Sequence, residues 1–207
     1  MKRLKRKKRT RLFPATRGSG FREASDLITV AQRLQASTTE EQNRQSVCFT
    51  GHRHMLASDV SAVIERLDAL LDMCYDHGYR YFLCGGALGF DTLAGERVAA
   101  LQARCPDVRL IMVLPCGDQA QRWPASAIER YERLLYAADE IRVLAPSYYQ
   151  GCMQVRNRYM VDHSSLCVCY WRHQKGGTAS TVAYALKRRL PVLNVAMEDV
   201  CAAFPNA

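Results

Sequence analysis

From Ser46 onward, short apolar runs alternate with longer amphipathic segments, and this rhythm leaves few folds open. The apolar runs are Val47–Thr50, Tyr81–Cys84, Val108–Leu114, Glu140–Val143, Leu166–Tyr170 and Val192–Val195. Between them, helical spacing covers about 58–77, 90–104, 125–137, 152–163 and 178–188. In the first of these, Val60, Val63, Ile64, Leu67, Leu70 and Leu71 fall on one face, and Ser58 is placed to cap the helix. Val108–Leu114 is almost wholly apolar, as a strand covered on both faces should be. Repeated βα units ending on a strand predict an α/β chain: a Rossmann-like, doubly wound, mostly parallel sheet of about six strands.

Charge divides the chain at the same point. Residues 1–45 carry 12 Lys/Arg against 4 Asp/Glu, a net +8; residues 46–207 carry 17 against 16, a net +1. The basicity behind the overall +9 therefore belongs to the N-terminal stretch. MKRLKRKKRTR is a block that repels itself and is expected to be disordered. It reads as a solvated leader, as a chain start taken too far upstream, or as a weak nucleic-acid contact through residues 1–22. Residues 25–35 read as one short helix, and Ala36–Arg44 as a polar linker. The expected organisation is an extension over 1–45 and a nucleotide-binding type of domain over 46–207.

No apolar run reaches the roughly 18 residues of a membrane span, and no apolar stretch of a secretory signal follows the basic block. Nine cysteines lie mostly inside apolar runs, without a CxxC or a Cys/His spacing typical of zinc. They read as buried free thiols in a reducing, cytoplasmic setting, and no metal or cofactor is expected.

In such a sheet the ligand lies beyond the carboxyl ends of the strands. There the sequence offers Thr50-Gly51-His52-Arg53, then Gly85-Gly86-Ala87-Leu88-Gly89-Phe90-Asp91, then Pro115-Cys116-Gly117, then His173-Gln174-Lys175-Gly176-Gly177-Thr178. Glycines let the backbone approach an anion, and the helix that follows presents free N–H groups and the positive end of its dipole. One exposed helix end is worth only about 0.3–1 kcal/mol, so several must converge to hold a phosphate. The Gly85–Asp91 turn is the strongest of the four and Gly176-Gly177-Thr178 supplies a second. Asp91 reads equally as a helix cap or as a partner for ribose hydroxyls, whereas Glu96 falls on the helix flank. His52 and Arg53 stand at the mouth, and Tyr148, Tyr149 and Trp171 are available to stack on a base.

Met153, Arg156, Asn157 and Met160 recur at helical spacing on one face. An arginine on an inward-leaning face needs an anion, either Asp162, another core carboxylate, or a ligand phosphate; the ligand is favoured for Arg156.

The order Thr50-Gly-His-Arg53, Gly85-Gly-Ala-Leu-Gly-Phe-Asp91, Arg156-Asn-Arg-Tyr-Met-Val-Asp162 and Gly176-Gly-Thr178 resembles the YpsA-like family of the SLOG superfamily. That superfamily also holds the LOG phosphoribohydrolases and the DNA-processing protein DprA. The resemblance spans about 47–195 and implies a Rossmann-like domain that binds nucleotides, often as a signal sensor, and often paired as a homodimer. LOG enzymes carry a PGGxGTxxE turn with a catalytic glutamate; here Val182 and Ala183 occupy the acidic positions. The expected function is binding of a mononucleotide, ADP-ribose-like molecule or cyclic nucleotide as a non-catalytic sensor or sequestering protein. The alternatives are a LOG-like N-glycosidase using Asp91 or Glu96, and a nucleic-acid-binding module acting through the basic tail.

Overall fold

The computed structural model describes residues 40–172, 175–201 and 203–204. The expected basic extension and its helix over 25–35 lie outside them. The last part of the expected linker is ordered as α1 (Glu40–Arg44), whose Gln42 and Arg44 carbonyls accept the hydroxyls of Ser46 and Ser165, each at 2.6 Å.

Beyond it run β1 (Ser46–Gly51), α2 (Val60–Asp76), β2 (Tyr81–Cys84), α3 (Phe90–Arg104), β3 (Arg109–Leu114) and α4 (Ala125–Ala137). Then follow β4 (Glu140–Val143), α5 (Cys152–Asp162), β5 (Leu166–Tyr170), α6 (Gly177–Lys187) and β6 (Val192–Asn194). The six strands are parallel, in the order β4-β3-β2-β1-β5-β6. The chain builds outward from β1 to β4, then crosses back to lay β5 on the other side of β1. The strand order reverses between β1 and β5, where a doubly wound sheet opens a crevice at its carboxyl edge.

Each face of the sheet has its own core. Val47, Phe49, Phe82, Leu110 and Met112 pack against Val63, Leu67, Leu70 and Leu71 of α2, Val98 of α3 and Leu134 of α4. Cys48, Leu83, Ile111, Val113 and Cys167 face Met160 and Val161 of α5 and Ala185 of α6. Alternate residues of one strand serve opposite faces, which is why strands buried on both sides read as unbroken apolar runs. All nine cysteines are free, and seven are buried.

Two details differ from expectation. Ser58 does not cap α2: a single 3-10 turn over Ala57–Asp59 precedes the helix, and the Ser58 hydroxyl donates to Asp59 Oδ1 at 3.3 Å. On the edge strand β4, Glu140 and Arg142 turn inward and are buried. They form a two-point pair of 2.6 and 2.9 Å, and Arg142 Nη1 also donates to the Tyr159 hydroxyl of α5 at 3.1 Å.

Candidate functional site

The carboxyl ends of β1, β2 and β5 bring most of the expected residues together. Gly51 pairs with Tyr170 across β1 and β5, in contact with α3: a Cβ on Gly51 would lie 2.5 Å from Phe90 Cδ1. Phe90 stacks on Tyr170 at 6.1 Å between centroids, so the switch point is floored by two rings. His52 stands edge-on to Tyr170, and its Nε2 accepts the backbone N–H of Arg172 at 2.9 Å. That bond leaves the ring proton on Nδ1 when the histidine is neutral.

Asp59, the residue before α2, is engaged by the end of β5 and the residues that follow it. Asp59 Oδ2 accepts the Tyr170 hydroxyl at 2.7 Å and pairs with Arg172 Nε at 2.6 Å. The Tyr170 hydroxyl, then the Arg172 charge, hold the Asp59 carboxyl below its ordinary value against the cost of its partial burial. The carboxylate is thus turned to Tyr170 and Arg172 and makes no capping bond to the amides of α2.

The turn after β2 is tighter than its glycines suggested. Gly86 and Gly89 have φ of 59° and 83°, which favour glycine. A Cβ on Gly89 would strike the Arg53 carbonyl oxygen. The Phe90 N–H donates to the His52 carbonyl at 3.2 Å, and both the N–H and the hydroxyl of Thr92 donate to Ala87, at 3.1 and 2.8 Å. Much of the first turn of α3 is therefore satisfied internally. The opposite holds at α6. Among the described residues, the amides of Gly177, Thr178 and Ala179 carry no hydrogen bond, the Thr178 hydroxyl has no partner although the residue is buried, and nothing lies within 4 Å of the Cβ positions of Gly176 and Gly177. Gly176 precedes the helix at φ 99°, a conformation L side chains rarely adopt.

Between these turns lies Arg156, 3% exposed. Its carboxylate neighbour is Asp91, not Asp162: Nη1 stands 4.0 Å from Asp91 Oδ2, while Asp162 is held by Arg188 at 3.0 Å. A Cβ on Gly85 would meet the Arg156 guanidinium and come within 2.7 Å of Asp91 Oδ2, so only glycine leaves room for this arrangement. Arg156 Nε donates to Asn157 Oδ1 at 2.7 Å, Asn157 Nδ2 to Thr181 Oγ1 at 2.8 Å, and Thr181 Oγ1 to the Gly177 carbonyl at 2.8 Å. This relay ties the arginine to the first turn of α6. Nη1 makes one long bond to the Val113 carbonyl at 3.4 Å, and Nη2 has no partner among the described residues. Burial pushes the Asp91 carboxyl up to about 6, against the pull of the Arg156 charge, the Ala87 amide, the Arg53 charge and the Gly51 amide.

Other expected residues are placed as follows. Thr50 is buried at the end of β1, Arg53 is exposed at the rim, and Pro115 is buried behind β3. Ala87 and Asn157 are half-buried. Glu96 sits on the flank of α3, held by two bonds from Arg130 of 2.9 and 2.6 Å. His173 and Gln174 lie outside the described residues. Sequence reasoning missed Gln119, whose Nε2 donates to the carbonyls of Gly85 and Gly86 at 3.2 and 3.5 Å. It also missed Asn194, which accepts the Trp171 N–H at 3.0 Å and donates to the Trp171 carbonyl at 2.7 Å. A polar residue ending an apolar strand was the available signal for Asn194.

Comparison with known proteins identifies the family and the fold. The model of the YspA SLOG family, YpsA, matches residues 47–198, and the chain belongs to that family. The SPbeta prophage-derived protein YoqJ of Bacillus subtilis is 33% identical over 147 residues, covering 65% of this chain and 82% of that protein. The UPF0398 protein YpsA of the same organism is 29% identical over 146 residues, covering 67% and 79%. Among solved structures, DNA processing protein A from Helicobacter pylori, described for its single-stranded DNA binding mode, shares the fold. It has a TM-score of 0.52 and 21% identity, with 74% of this chain and 67% of that one covered. DprA from Streptococcus pneumoniae has a TM-score of 0.53 and 18% identity, covering 73% and 50%.

Proposed function

We propose that this member of the YpsA SLOG family binds a nucleotide or nucleotide-derived ligand at the carboxyl edge of β1, β2 and β5, as a sensor or sequestering protein rather than an enzyme. The observation that carries this reading is the buried Arg156, whose guanidinium keeps free donors while its relay through Asn157 and Thr181 ends at the open first turn of α6. A buried cation with unmet donors is costly unless an anion completes it. Three amide donors and the positive helix end at Gly177–Ala179 supply the rest of a phosphate site. Arg53 at the rim and Gly51 at the switch point complete the approach. A mononucleotide, an ADP-ribose-like molecule or a cyclic nucleotide would each bring the phosphate this site takes.

The test is thermal unfolding of the full chain against AMP, ADP, ATP, NAD, ADP-ribose and cyclic nucleotides. A ligand at about 100 times its Kd adds about 2.7 kcal/mol, which a melting curve resolves easily. The shift is expected to vanish in Arg156→Ala. A chain indifferent to the whole panel would refute the reading.

A second reading is a single-stranded nucleic acid as ligand. Tyr148 and Tyr149 are 62% and 46% exposed on the loop after β4, on the same side of the sheet, where aromatic rings can stack bases. The fold neighbour from Helicobacter pylori is described as binding single-stranded DNA. Affinity for a short oligonucleotide that falls steeply with salt would favour it. For a glycosidase, Glu96 is held by Arg130, which leaves Asp91 of the two carboxyls expected for that chemistry; base release from AMP would support it.

A further inference from the structure

The charges around Arg156 stop balancing once a phosphate is added. Arg156 and Asp91 are both buried, with Nη1 at 4.0 Å from Asp91 Oδ2. The Arg156 Nε is committed to Asn157 Oδ1 at 2.7 Å, so an arriving anion meets the edge formed by the two terminal nitrogens. Nη1 belongs to that edge and is also the atom that faces Asp91. A phosphate held by Arg156 therefore shares one buried cation with a carboxylate.

The other groups facing Asp91 compensate it weakly. The Arg53 charge and the Gly51 amide act on it from the end of β1, and the Ala87 amide from its own turn. The thiols of Cys84 on β2 and Cys167 on β5 are neutral: burial pushes Cys84 up to about 12, and a contact with Cys48 together with burial holds Cys167 well above its ordinary value. Tyr131 of α4, which acts on Arg156, is likewise kept neutral by burial. Arg53 and Lys175 are exposed, where water and salt screen them. Burial already pushes the Asp91 carboxyl up to about 6 against these charges. Two anions at one cation, away from water, repel each other, and one of them is relieved by taking a proton.

We propose that the crevice takes up a proton together with its phosphate, and that Asp91 is the group that holds it. The inference rests on the nucleotide reading above and adds the regulation of that site by pH. In the free protein at neutral pH, Asp91 is mostly ionised and serves as the counter-anion of Arg156. The ligand phosphate takes over that role, and a proton from solvent neutralises the carboxylate, which then carries one O–H donor. Affinity accordingly rises as pH falls toward the free-protein value of about 6 and levels off below it, where Asp91 is protonated before the ligand arrives. Asp91→Asn imitates the protonated form and should bind more tightly than the unmodified chain at pH 8.

The experiment is calorimetric titration of the full chain with ADP-ribose, whose pyrophosphate does not titrate near neutrality, and with AMP. Each titration is run at pH 7 in buffers of small and large ionisation enthalpy, which yields the protons bound per ligand. The unmodified chain should take up about one proton per ligand; Asp91→Asn should take up none beyond what AMP itself exchanges. Between pH 8 and 6 the unmodified chain should gain affinity for ADP-ribose by up to about tenfold per pH unit, and Asp91→Asn should not change. Binding without proton uptake would overturn the coupling and leave the nucleotide reading standing. Uptake that persists in Asp91→Asn would place the proton on another group, with His52 the next to examine, and overturn the role of Asp91. No binding of either compound between pH 6 and 8 would remove both readings. If the variant fails to fold, difference infrared spectra of the unmodified chain decide: a carboxylic-acid C=O band should appear on adding ADP-ribose, and its absence would overturn the assignment.

Discussion

Arg156 and Asp91 face each other at 4.0 Å, both nearly sealed from solvent, with no hydrogen bond between them. A bonded buried pair would be a finished structural element. This one leaves the guanidinium open toward the crevice and the carboxyl poorly compensated, which is why burial outweighs the nearby charges and the carboxyl rises to about 6.

The sign of the resulting pH dependence follows directly. Native Asp91 holds a proton between about pH 4 and 6 that the unfolded chain has released. Its contribution is therefore full below the unfolded value of 3.8 and fades as pH rises through 6. Relative to Asp91→Asn, the unmodified chain should gain stability, on the order of 1–2 kcal/mol, on going from pH 7.5 to 5. Urea unfolding of both proteins at the two pH values measures this, and a difference that moves the opposite way would contradict the assignment.

Gly85 and Gly177 should respond oppositely to alanine. Gly85→Ala drives a methyl group into Arg156 and should cost about 1–3 kcal/mol, together with ligand affinity. Gly177→Ala meets nothing and should leave stability unchanged or raise it by about 0.4–1 kcal/mol. If a ligand phosphate sits on the Gly177 amide, the same methyl group should still weaken binding. Denaturant melts and a titration on each variant separate the two effects.

Thr181 joins α5 to the first turn of α6 by accepting from Asn157 and donating to Gly177. Thr181→Val keeps the shape and removes both bonds, leaving the half-buried Asn157 Nδ2 without its acceptor. A loss of about 1–3 kcal/mol is expected, with looser nucleotide binding because Asn157 no longer orients Arg156 Nε. A variant that melts and binds like the unmodified chain would show the relay to be idle.

Asn194 clasps both backbone groups of Trp171 at the end of β5, and its Oδ1 also accepts the Ala196 N–H at 3.2 Å. Asn194→Ala should cost about 2–3 kcal/mol from these bonds together. Amide exchange should quicken at Trp171 and Ala196 while β2 and β3 stay protected.

The expected strand over 81–84 and helices over 90–104 and 125–137 coincide with β2, α3 and α4, because a short apolar run bounded by turn residues fits a strand covered on both faces and the longer segments between such runs are long enough only for helices. The glycine turns were equally legible. Their relative openness was not: whether an amide is free depends on what the chain folds back onto it, as the His52 and Ala87 carbonyls do at α3. Partners were hidden for the same reason. Nothing local points Arg156 to Asp91, Asp59 to Tyr170 and Arg172, or Gln119 to Gly85, since each pair comes from different βα units. The Ser58 cap failed on a local detail, the interposed 3-10 turn, which hydrophobic spacing does not report.

The inward pair of Glu140 and Arg142 has a consequence at the border of the sheet. β4 is the outermost strand at one side of the described sheet. Charged side chains turned inward, with Arg142 bonded to Tyr159, fix the register of β4 against its neighbour, because a one-residue slip would carry both charges to the other face. The pair that ties α5 to the sheet thus also pins the alignment of its border strand.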